Sequence, residues 1–308
     1  MKQRVFSCNE RVCPMFWKIL IFICCLSNRL LKNPLKYLPY FQSFSASEKI
    51  ISMAEHMDFR IYINPQIVLE KISLKNSCPE RFILYLHGGA FLMGLNNFYR
   101  KFAVLIAEKL NASVILVDYD LAPQYPFPQA FNQCFQAYQS LLAQGIDPSK
   151  IIIAGDSAGG NLTAAILLKI KDEKLPMPKG ACILSGWFDL TVDCMRSKVP
   201  FYQDPIISLR HLPLAIQAYA GAAYTDNSYI SPLKGDLSHF PPLFLLVGEG
   251  EALKDDTVNF ATKAQTAGVN VTLLIEKKMM HIHPIFFPDD PKSAEIIAKM
   301  TRFIEELT

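Results

Sequence analysis

The sequence predicts an α/β fold, a mostly parallel central sheet with helices on both faces. Three observations lead there. From residue 60 onward, short β-branched runs alternate with amphipathic helical stretches. Past the first two strands, the order of these runs is mostly β-α-β, which parallel pairing requires. A composition that is 51% hydrophobic and 19% charged, with no low-complexity run, describes a chain that packs a large core. At 308 residues that means one core domain with a small accessory part.

Strands are predicted at 67–74, 81–86, 113–119, 151–154, 181–185, 243–247 and 269–275. Apolar residues recur at helical spacing over 98–110, 130–143, 158–171, 255–267 and 291–306. The interval 188–231 breaks this rhythm. It holds Pro200, Pro205 and Pro213 and a helical pattern over 209–219, and reads as an insertion that forms part of a lid.

The N-terminal part, residues 1–57, stands apart. Its apolar run 15–26 is interrupted by Lys18 and is shorter than the roughly 20 residues of a membrane-spanning helix. Basic residues precede this run, as in a signal peptide, but no small-x-small cleavage site follows it. A helix over 14–32 would gather Lys18, Arg29 and Lys32 into one stripe, with apolar residues over most of the remainder. Such a helix must lie on something. Packing on the protein's own core is the favoured expectation, because Pro34 and Pro39 limit its length, and peripheral contact with a membrane surface is the alternative.

The net charge of +3 hides an asymmetry: the first 40 residues carry seven basic residues and one acid, and the rest carries 24 basic against 27 acidic. A slightly acidic body argues against nucleic acid as a partner. The eight cysteines form no C-x-x-C pair and show no metal-type spacing with histidine, so free thiols in a reducing, cytoplasmic compartment are expected.

Ile151-Ile152-Ile153-Ala154, then Gly155-Asp156-Ser157-Ala158-Gly159, then a helical run, place G-x-S-x-G between a strand and a helix. So sharp a turn strains the serine backbone and lifts its hydroxyl clear, and it needs small residues on either side. Ser157 is therefore the candidate nucleophile. Upstream, the strand that ends at Leu86 runs into His87-Gly88-Gly89-Ala90, a glycine loop suited to stabilising an oxyanion with fixed N–H groups. The expected donors are Gly88, Gly89 and Ala158, and His87 is expected to hold the loop.

A base and an acid should follow the serine in the chain. The last strand leads to Met279-Met280-His281-Ile282-His283, where two histidines compete. If extended, they point the same way about 7 Å apart, so spacing leaves the choice open. After strand 243–247 come Glu249, Glu251, Asp255 and Asp256. The two aspartates open a helix, where acids favour the dipole, leaving Glu249 and Glu251 as alternatives.

From about residue 58 to its end, the sequence resembles the hormone-sensitive-lipase family of bacterial-type carboxylesterases and lipases. Besides the two glycine motifs, it has Asp118-Tyr119-Asp120-Leu121-Ala122-Pro123, similar to Y-R-L-A-P-E, and Ser231-Pro232-Leu233. The resemblance implies the α/β-hydrolase fold with a helical cap, formed by residues 1–57 and an insertion at 188–231 of a catalytic domain 58–308. Matching D-x-L-x-D to Glu251-Ala252-Leu253-Lys254-Asp255 implies Glu251 as the acid, with Glu in place of the usual Asp. Matching M-x-H-x-F implies His281 as the base, with His283 in place of the usual aromatic residue. Asp120 and Gln124 stand where the family has Arg and Glu, which puts a structural ion pair in doubt.

The implied activity is hydrolysis of a small-molecule ester with a short- to medium-chain acyl group, by a Ser-His-Glu triad without metal or cofactor. Amide or thioester cleavage would use the same triad. A silent ligand-binding protein of this fold would be expected to lack the serine or the histidine, and both are present.

Overall fold

The computed structural model describes residues 54–63, 66–191, 204, 206, 207, 209 and 211–307. The helix expected at 14–32 and most of 192–210 lie outside the described residues.

Among the described residues, eight strands form the sheet, in the order β1-β2-β4-β3-β5-β6-β7-β8. They are β1 (Met57–Ile63), β2 (Val68–Leu74), β3 (Arg81–Leu86), β4 (Ala112–Asp118), β5 (Ile151–Asp156), β6 (Gly180–Leu184), β7 (Leu243–Gly248) and β8 (Val271–Glu276). β1, β2 and β4 pair antiparallel, and every later neighbour is parallel. Each parallel step needs a crossover. α1 (Asn97–Leu110), α2 (Gln129–Ala143), α3 (Ser157–Asp172) and α5 (Lys254–Thr266) supply four of them, and α4 (Leu212–Ala220) lies in the β6–β7 connection. The short α6 (His283–Phe286) and α7 (Pro291–Glu306) complete the chain.

Period-two alternation sorts the strand residues between two cores. Leu84, Leu86, Ile151 and Ile153 pack with Phe131, Leu162 and Phe260 of α2, α3 and α5 on one face. Ile83, Tyr85, Ile152 and Ala154 pack with Phe102 and Ile106 of α1 and Ile297 and Met300 of α7 on the other. Strands covered on both sides can be apolar throughout, and β5 is buried at every position.

The α/β expectation holds, and the seven predicted strands and five helices outside the insertion stand within two residues of their expected ends. β1 was not anticipated. It is an edge strand with Met57 as its one fully buried residue, and Ile63 is 77% exposed, so it lacks the burial pattern that marks its neighbours. The insertion helix begins three residues later than expected, at Leu212. Among the described residues, no helix is long and apolar enough to cross a membrane. Of the described cysteines, Cys134 and Cys182 are buried free thiols, and Cys78 is exposed.

Candidate active site

β3 lies between β4 and β5, so the chain leaves β3 toward one side and returns on the other. Such a reversal opens a crevice at the carboxyl ends of the strands. Register aligns Leu86 of β3 with Gly155 of β5, so the glycine loop after β3 and the turn after β5 are side by side.

Ser157 begins α3 with φ 52°, in the left-handed region, and is 5% exposed. The closeness of the two turns demands Gly159, because a Cβ there would stand 1.9 Å from the Leu86 carbonyl oxygen. Gly159→Ala therefore forces β3 and α3 apart. We expect a loss of at least the ~1–3 kcal/mol of an overpacked core, seen as a Tm several degrees lower in thermal unfolding, and an unchanged Tm would contradict this packing.

Asp156 ties the two turns together. Its buried carboxylate accepts Tyr85 Oη–H (2.9 Å) and Gly88 N–H (3.0 Å) at Oδ1 and Tyr99 Oη–H (3.1 Å) at Oδ2. Burial pushes this carboxyl up to about 6, against the opposing effect of its donors. The Gly88 N–H is thus already committed to a carboxylate, which corrects its expected role as an oxyanion donor. The next two residues differ. Gly89 and Ala90 have φ 109° and 55°, and among the described residues no backbone acceptor is bonded to their N–H groups or to that of Ala158. Gly89 could not carry a side chain, since a Cβ would meet the Met93 carbonyl oxygen at 2.8 Å.

His87 is buried, its Nδ1 lies 2.8 Å from the Gly88 carbonyl, and its ring stacks on Tyr119 at 4.1 Å. The Tyr119 hydroxyl donates to the His87 carbonyl at 2.7 Å, and burial lowers the imidazole to about 4. A neutral, enclosed ring of this kind braces the loop.

On the far side, β7 and β8 carry Glu251 and His281 to the same end of the sheet. Glu251 Oε2 lies 2.8 Å from His281 Nδ1, and both residues are buried. Glu251 Oε1 accepts Gly248 N–H at 2.6 Å and Ser185 Oγ–H at 2.9 Å, so the carboxylate is oriented from behind. The carboxylate facing Nδ1 assigns the proton to that nitrogen and leaves Nε2 as the basic one. Burial opposes charge on the ring, but the Glu251 hydrogen bond and charge outweigh it and raise His281 above its ordinary value.

The two histidines do not share an extended strand, as spacing allowed. Ile282 is left-handed (φ 48°) and His283 begins α6, so His283 turns away to Asp290, 3.4 Å distant. Glu249 is exposed and its N–H continues the ladder to Glu276, which separates it from His281. Asp255 fits the helix-dipole account, but Asp256 does more: its half-buried carboxylate accepts Phe188 N–H and Asp189 N–H. Where the sequence put an ion pair in doubt, Asp120 Oδ2 accepts two amide donors, Gln129 Nε2 and Gln133 Nε2, each at 2.9 Å. No sequence motif singles out Ser185 or Asp204. Ser185 had a usable signal, a serine closing a strand between those of Ser157 and Glu251.

A family model described as alpha/beta hydrolase fold matches residues 83–284, so the fold is that of an α/β hydrolase. An esterase of Acinetobacter venetianus is 34% identical over 77% of this chain and 78% of its own. An acetyl-hydrolase of Streptomyces hygroscopicus is 30% identical over 72% of this chain and 75% of its own. The crystal structure of an esterase from the bacterial hormone-sensitive lipase family superposes with a TM-score of 0.82 at 28% identity, covering 94% of this chain and 97% of that one. The chain belongs to the hormone-sensitive-lipase family of α/β-hydrolase esterases and is an enzyme of the carboxylesterase/lipase type.

Proposed function

We propose that this enzyme hydrolyses short- to medium-chain acyl esters through an acyl-enzyme on Ser157, with His281 as base and Glu251 as its orienting acid. The observation that carries this is the buried His281–Glu251 pair at 2.8 Å, at the same end of the sheet as the strained Ser157 turn. Ser157 Oγ attacks the ester carbonyl and its proton passes to His281 Nε2. The oxyanion is held by the N–H groups of Gly89, Ala90 and Ala158, since Gly88 is engaged by Asp156. His281 returns the proton to the leaving alcohol, then deprotonates a water that releases the acid.

Aromatic side chains support the limit on acyl length. Phe91, next to the oxyanion loop, stacks on Tyr219 of α4 at 3.6 Å and lies 6.2 Å from the ring of Trp187, whose backbone N–H donates to the Ser157 carbonyl. We assign these three rings to the wall of the acyl site.

The test is covalent labelling together with a substrate series. A sulfonyl fluoride should leave one adduct, on the peptide containing Ser157, and abolish turnover. Rates on p-nitrophenyl esters should hold from acetate to octanoate and fall toward palmitate. Adduct formation elsewhere with loss of activity would reject Ser157, and faster cleavage of a matched p-nitroanilide would reassign the substrate to amides.

A further inference from the structure

Asp204 lies far from the acid loop in sequence, yet its buried carboxylate reaches it. Oδ1 accepts Ile206 N–H and Ile207 N–H, both at 2.9 Å, the local turn that aspartate and asparagine form equally well. Oδ2 accepts Ala252 N–H, also at 2.9 Å, across 48 residues of sequence. Ala252 directly follows Glu251. A local turn needs one oxygen. The second oxygen fastens the residue beside the acid to the segment that precedes α4, and an asparagine amide in that position would present a donor to a donor.

We propose that Asp204 is a positioning residue of the active site: it fixes the Glu251 loop through Ala252 and adds a second negative charge that favours the imidazolium formed during turnover. This rests on the triad proposed above. Three carboxylates from three segments act on His281: Glu251 after β7, Asp204 before α4 and Asp156 at the end of β5. Glu251 holds Nδ1 directly and Asp156 is occupied by Tyr85, Tyr99 and Gly88. Asp204 acts through the loop and through its charge.

The experiment is the pH dependence of kcat/KM on p-nitrophenyl butyrate for the wild type, Asp204→Asn and Asp204→Ser, with Ser157→Ala and Glu251→Gln alongside. Asparagine and serine can keep the local turn but remove the charge and the bond to Ala252. Both variants should lose kcat several-fold with little change in KM, and their acid limb should move to lower pH. Asp156 is present in every profile, so its own ionisation cancels in the comparison. An acid limb that superposes on the wild type would overturn the inference, even if the rate fell with Tm. Failure of both charge-free variants to fold would overturn it too, by making Asp204 a determinant of the fold. Full activity in Ser157→Ala or Glu251→Gln would instead remove the triad on which the inference stands.

Discussion

Ser157→Ala is expected to lower kcat on p-nitrophenyl butyrate by a factor on the order of 10⁶, the loss seen when a triad nucleophile is removed. The substitution should leave the fold intact. Alanine carries the same left-handed strain at φ 52°, and the glycines and Asp156 that build the turn are untouched. What remains, roughly 10³–10⁴ over the uncatalysed rate, would come from the oxyanion donors and from binding. His281→Ala should cost about as much, and the double variant little more, because nucleophile and base act as one unit. Stopped-flow or long-time spectrophotometric rates measure the loss, with thermal unfolding to show that the variants are folded. A Ser157→Ala enzyme within about tenfold of wild type would place the chemistry on another residue.

Much of this arrangement was legible because the constraints were local. Ser157 needs a strand, small neighbours and a helix in immediate succession, and each leaves a mark in the sequence. The doubly covered strands β3 and β5 carry apolar runs, Phe82 to Leu86 and Ile151 to Ala154, whereas the edge strand β1 is mostly exposed and carries no such run. The less local the constraint, the less of it could be read. Spacing could not separate His281 from His283, because the separation is made by one left-handed residue, Ile282, which bends the chain into α6. Gly88 looked equivalent to Gly89 in a glycine pair, and only the packing of Asp156 against it commits its N–H. Asp204 left no signal at all, since its partner Ala252 lies 48 residues away and takes part through its backbone.

Glu251→Gln is expected to lower kcat by about 10⁴, chiefly by reversing the histidine tautomer. Gly248 N–H and Ser185 Oγ–H both donate to Oε1, so the acceptor oxygen of glutamine is drawn to that side. Its amide nitrogen then faces His281 Nδ1, which must become an acceptor. The proton moves to Nε2, the nitrogen that has to receive the serine proton, and the base is disabled without any change of shape. The same substitution has a signed effect on pH dependence. In the wild type, burial disfavours the imidazolium, but the Glu251 bond and charge prevail and hold His281 above 6.5. With His281 as the proposed base, catalysis requires the neutral ring, so the acid limb of kcat/KM should lie above that value. In Glu251→Gln the burial remains and its opponent is gone, so the limb of the residual activity should move to lower pH. Stability follows the same linkage. The ion pair contributes fully below 6.5 and its contribution is lost as pH rises through the raised value. The Tm gap between wild type and Glu251→Gln should therefore be widest on the acid side and narrow toward alkaline pH. A gap that widened with pH would mean that Glu251 is not charged against a protonating histidine. Because a purely structural glutamate would lower Tm alike at every pH, this pair of profiles separates support of the loop from orientation of the base.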